Sequence, residues 1–116
     1  MAYRYVKQIE DMEQMDNLTF GQALHAVGEG RMIARSGWNG KGLFVFKQVP
    51  ATITADIIPK MQSLPQLVKD EFAKRGAEFI DYFDQLALVS PDNTIQGWAP
   101  STPDALADDW MIVNED

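Results

Sequence analysis

The 116-residue chain carries 10 Lys and Arg against 17 Asp and Glu, one His and no Cys, for a formal net charge of −7. This length suits one compact domain with a real core, and the lack of Cys excludes disulfides, thiolate catalysis, zinc–thiolate sites and iron–sulfur clusters. A pI near 4.5 argues against long nucleic acid as a partner, and no apolar run reaches the roughly 18–20 residues that span a bilayer.

Residues 1–17 are polar and Met-rich and read as an N-terminal extension, an arm or a short helix. They contain no apolar signal core, so the chain is expected in the cytoplasm. Thr19 with Gln22 forms a capping box that opens a helix. Phe20, Ala23, Leu24 and Val27 recur on one helical face, and Gly28 and Gly30 end it. Met32 to Arg35 reads as a short strand, Ser36 to Gly42 as a glycine-rich loop, and Leu43 to Val49 as a strong strand stopped by Pro50.

Residues of about 50–84 read as a helical insert punctuated by Pro59 and Pro65. Ser63 or Leu64 could cap its helix, with Leu67, Val68 and Phe72 as the apolar face and Gly76 as the end. Phe79 to Tyr82 and Leu86 to Val89 read as strands. Ser90-Pro91-Asp92-Asn93 is a tight turn, and Thr94 to Trp98 returns as the second arm of a hairpin. Ser101 or Thr102 caps a short helix, and Trp110 to Val113 closes the pattern as a strand. The reading is one α+β domain over 18–116, with a small, mainly antiparallel sheet, an N-terminal helix, the helical insert and a short C-terminal helix. Several strands are apolar on both faces, and a sheet with so few helices cannot cover both, so the insert or another chain must cover the second. A homo-oligomer built on two-fold contacts is expected.

The charge is uneven. Residues 19–49 hold Arg31, Arg35, Lys41 and Lys47 against Glu29 alone, whereas residues 85–116 hold six acids and no base. Catalysis is poorly served. His25 is a lone helical His, a type more often structural or solvated than a general base. Asp108-Asp109 lacks a second ligand cluster, so solvation or capping is its ordinary role. No P-loop or GxGxxG pattern occurs. Binding is better served. In the stretch 35–42, glycines let the backbone approach a ligand, Trp38 offers a stacking surface, Asn39 donates and accepts, and Arg35 and Lys41 carry charge suited to phosphate. The same stretch also suits a hairpin turn anchored by its Trp. In 97–104, Trp98 precedes a helix start at Ser101, Thr102 and Asp104 that could meet a phosphate or simply be capped.

Leu18-Thr-Phe-Gly-Gln-Ala-Leu24, Ala34-Arg-Ser-Gly-Trp-Asn-Gly-Lys-Gly42, Gly97-Trp-Ala-Pro-Ser101 and Leu106-Ala-Asp-Asp-Trp110 together resemble the Thoeris anti-defence 2 family of small phage and prophage proteins. The resemblance covers about residues 18–113 and leaves the first 17 outside. It implies a sponge that binds glycocyclic ADP-ribose, the signal of the TIR-domain enzyme of Thoeris defence, without cleaving it. It also implies a homotetramer with pockets between protomers. Some members hold cyclic di- or trinucleotides of CBASS systems at a separate site. No cofactor, metal, long nucleic acid or membrane is implied. Placing chemistry on these motifs, Trp38 or Trp98 stacks the base with Phe20 contributing. Asn39, Ser101 and Thr102 bond ribose or phosphate, Arg35 and Lys41 balance phosphate charge, and Asp104 accepts a ribose hydroxyl or caps its helix. Two rival readings are an enzyme that hydrolyses a cyclic nucleotide signal and a structural or protein-binding phage protein.

Overall fold

The structure, a computed structural model, describes residues 14–38 and 42–113. Most of the expected N-terminal extension, with Asn39 and Lys41, lies outside the described residues. In chain order the elements are helix α1 (Phe20–Gly28), strands β1 (Met32–Arg35), β2 (Phe44–Gln48) and β3 (Ala51–Thr54), a 3-10 turn (Ile58–Lys60), helix α2 (Gln66–Lys74), strands β4 (Phe79–Tyr82), β5 (Gln85–Val89) and β6 (Ile95–Gly97), helix α3 (Thr102–Leu106) and strand β7 (Trp110–Val113). Every described strand pair is antiparallel, so the expected α+β class holds. Contacts divide the chain into two compact units. The second is Val49–Asp84, and the first takes the chain on either side of it.

The first unit is a five-stranded sheet in the order β6-β5-β2-β1-β7. Its register separates the two faces. Ile33 pairs with Val45 and Ile112, and Val45 with Leu88, so these share one face. Helix α1 lies on that face. Its start is the expected capping box: the Thr19 N–H donates to Gln22 Oε1 at 2.8 Å, and the Gln22 N–H to Thr19 Oγ1 at 3.2 Å. Ala23, Ala26 and Val27 are its buried residues. They meet Leu18, Ile33, Val45 and Trp110 in the core. Leu24, expected on this face, is exposed instead, because the small Ala26 takes the place against the sheet. Helix α3 touches α1 and lies on the same side.

The other face carries Phe44 beside Val89 and Ile95, and Phe46 beside Ala87. Met32, Phe44, Phe46, Val89 and Ile95 border a shallow apolar depression of about 470 Å³. Ile95 is 62% exposed. Both described helices of this unit thus cover one face and leave the other apolar.

The second unit is a β3–β4 ribbon with the 3-10 turn and α2. Strand β3 falls where the sequence suggested only an excursion. It pairs Thr52 with Asp81 and Ile53 with Ile80. Ile58 and Ile80 are its buried apolar residues. Two sequence expectations fail here. Pro65, not Ser63 or Leu64, occupies the N-cap of α2, because an extended proline already directs the chain into the helix. Leu67 and Val68 are exposed, and no residue of α2 is buried. A unit this small offers the helix too little surface to bury a full stripe.

Candidate functional site

Three tryptophans and Phe20 converge where α1, the loop after β1 and the α3–β7 junction meet. Trp110 is fully buried at their centre. Its ring centroid lies 5.2 Å from Phe20, 5.3 Å from Trp38 and 6.0 Å from Trp98. Trp38 and Trp98 meet edge to face at 6.2 Å and 72°. The rings interlock at angles that favour contact between a positive edge and a negative face. Phe20, Trp38 and Trp98 are each only half-buried, so part of each ring faces outward.

Polar groups fix this cluster. The Trp110 indole N–H donates to the Asp104 carbonyl at 2.9 Å. The Trp38 indole N–H donates to Asp104 Oδ1 at 3.2 Å. Arg35 Nη1 donates to the same oxygen at 2.8 Å, and Arg35 Nε donates to Asp109 Oδ1 at 2.8 Å. Asp109 Oδ2 accepts the Gly37 N–H at 3.0 Å. A Cβ at Gly37 would stand 2.7 Å from that oxygen, so a side chain here would push the carboxylate aside. The Ser36 N–H donates to the Asp109 carbonyl at 3.0 Å. Ser101 Oγ accepts the Asp104 N–H at 3.2 Å, and Asp104 Oδ2 accepts the Ser101 N–H at 3.4 Å.

The electrostatics follow from these bonds. Hydrogen bonds to Asp109 and Asp104 raise Arg35 beyond its ordinary value. Burial pushes Asp104 upward, but bonds from Arg35, Trp38 and Ser101 outweigh it and hold the carboxyl below its usual range. Asp109 is lowered chiefly by its hydrogen bond from Arg35. All three groups are therefore charged at neutral pH, and the knot carries one positive against two negative charges. Among the described residues no group of His, Cys, Asp and Glu could hold a metal ion, and no helix is long and apolar enough to cross a membrane. His25 is exposed, 3.9 Å from Glu29.

Of the residues singled out from sequence, Phe20, Arg35, Trp38, Trp98, Ser101 and Asp104 gather at this one place. Thr102 is exposed at the first position of α3 beside them. Asn39 and Lys41 follow Trp38 directly in the chain but lie outside the described residues. Asp109 and Gly37 were missed as a pair. Their contact depends on the β1–β7 register, which sets Arg35 opposite Trp110. The helix start at 101–104 is occupied by its own capping box, with the Asp104 carboxylate in its first turn. A separate groove of about 700 Å³ runs along α1 past Thr19, Gln22, His25, Glu29 and Arg31. None of the residues predicted for the site borders it.

A family model described as a Thoeris anti-defense 2-like domain matches residues 18–113. A Bacillus phage SP01 protein named Thoeris anti-defense 2 is 30% identical over 103 residues, covering 84% of this chain and 96% of the relative. All the site residues, and Asp109 with them, fall inside the matched range.

Proposed function

Since the chain belongs to the Thoeris anti-defense 2-like family, a family of phage anti-defence proteins, we propose that it acts in the infected host cell as a sponge. It binds the Thoeris signal glycocyclic ADP-ribose and withholds it without cleaving it. The observation that carries this reading is the half-buried pair Trp38 and Trp98, braced against buried Trp110 at 5.3 and 6.0 Å. Rigid aromatic faces bind an adenine with little ordering cost. Phe20 extends the platform. Ser101, Thr102 and Asn39 bond ribose or phosphate, and Asp104 accepts a ribose hydroxyl. Lys41 is the cation for phosphate, while Arg35 serves through the carboxylates it already holds.

The apolar second face of the sheet supports assembly of copies of this chain, with a tetramer as the proposed state. Residues 18–116 would then form one ligand-binding domain per protomer, the unit Val49–Asp84 being its insert. Cyclic di- and trinucleotides are a second ligand class for the same protein.

The test is direct. Protein is loaded with glycocyclic ADP-ribose, freed of excess, denatured, and the released ligand is analysed by mass. Intact ligand in stoichiometric amount is expected, and a hydrolysed product would show an enzyme instead. Calorimetry over the glycocyclic isomers and cyclic oligonucleotides then ranks the ligands, and Trp38→Ala should abolish capture while leaving the assembly's mass unchanged.

A further inference from the structure

Asp109 has no place in the ligand assignments above, yet two routes lead from its carboxylate to Trp38. One is short: Asp109 Oδ2 accepts the N–H of Gly37, the residue before Trp38, at 3.0 Å. The other runs through side chains: Arg35 Nε donates to Asp109 Oδ1 at 2.8 Å, Arg35 Nη1 donates to Asp104 Oδ1 at 2.8 Å, and that oxygen also accepts the Trp38 indole N–H at 3.2 Å. The carboxylate therefore fixes both the backbone entering Trp38 and the rotation of its ring. Trp110 is held differently, through the Asp104 backbone carbonyl. We propose that Asp109 is a positioning residue that sets the angle at which Trp38 meets the ligand, a role that rests on the sponge reading above.

The space at Gly37 provides a second handle. An added Cβ would stand 2.7 Å from Asp109 Oδ2 and 3.5 Å from Arg35 Nη2. Gly37→Ala therefore displaces the same carboxylate without removing it. Because the clash is with Asp109 itself, deleting the carboxylate relieves it. Gly37→Ala and Asp109→Ala should thus be non-additive, the double variant behaving like Asp109→Ala alone.

The experiment compares wild type, Asp109→Asn, Asp109→Ala, Gly37→Ala and the double variant, with two readouts. The first is the set of indole N–H resonances of the ligand-free protein, assigned with Trp→Phe variants. The second is calorimetric affinity for glycocyclic ADP-ribose. In Asp109→Asn and Gly37→Ala the Trp38 resonance should shift furthest, with smaller shifts at Trp110 and Trp98, whose rings lie 5.3 and 6.2 Å from it, and affinity should fall about tenfold, since a contact held loosely loses much of its benefit. An unmoved Trp38 resonance with unchanged affinity overturns the role. So does a shift at Trp110 as large as that at Trp38, which marks a merely structural residue. If wild type binds nothing, the sponge reading fails. If wild type binds and Asp109→Asn binds equally well, only the positioning role fails.

Discussion

Arg35 faces Asp104 at 2.8 Å and Asp109 at 2.8 Å, with side-chain exposures of 20%, 14% and 29%. One cation between two carboxylates makes the local balance negative, so removing either acid changes more than a contact. Both carboxyls are held below their ordinary values, near 3.9 when unfolded. The folded state thus binds fewer protons than the unfolded one in acid. The stability they contribute is complete above about pH 4 and is lost as pH falls through their folded values. Arg35 is raised, so its contribution persists across the neutral range. Asp109→Asn should destabilise by about 1 kcal/mol at pH 6, below the range for buried charged hydrogen bonds because the group is partly exposed. The deficit against wild type should shrink towards pH 3 in thermal melts. A deficit independent of pH would show that the carboxylate's charge is not what Arg35 and Gly37 hold.

At the scale of elements, local chemistry was legible and long-range packing was not. The box Thr19–Gln22 needs only residues three apart and forms as read, and of the two caps the sequence offered for α3, Ser101 and Thr102, Ser101 takes the position, in a box with Asp104. The turn at 90–93 closes through Ser90 and Thr94, with Asn93 at φ +69°, as its composition suggested. By contrast, the 3.6 period of Leu67, Val68 and Phe72 predicted a buried stripe, and Leu67 is 81% exposed. Periodicity marks which residues share a face, but the packing surface comes from elsewhere in the chain. Strand β3 escaped notice because Ala51–Thr54 follows Pro50 directly and carries a single large apolar residue, Ile53, with its other three residues exposed. These differences set opposite outcomes for two substitutions. Thr19→Ala removes the oxygen that takes the Gln22 N–H and should destabilise by about 1 kcal/mol in urea unfolding. Leu67→Gln, on the unpartnered face of α2, should stay within about 0.5 kcal/mol of wild type. Equal losses would mean that α2 is packed against something its exposure does not reveal.

For the whole molecule, the aromatic site was legible as a set of residue types and not as an arrangement. Trp38, Trp98 and Asp104 stand out in sequence, but only the β1–β7 register brings Asp109 under Gly37. The two-faced strands are a clearer case of sequence anticipating a whole-molecule property. Alternation at Phe44 and Phe46, and at Val89 and Ile95, produces a sheet whose second face carries large apolar groups and no described helix of its own unit. A chain of net charge −7 repels its own copies, so any association through this face must be driven by apolar burial. Salt screens the repulsion and leaves burial intact. The assembled mass in light scattering should therefore hold or rise between low salt and 1 M NaCl. Ile95 is 62% exposed on the short edge strand β6, so Ile95→Glu should be nearly neutral for the isolated protomer. Within a face shared by copies, the same carboxylate loses its hydration without a partner. Ile95→Glu should then lower the measured mass while far-UV dichroism stays unchanged. An unaltered mass would exclude this face from the assembly and leave its apolar residues without a role between copies.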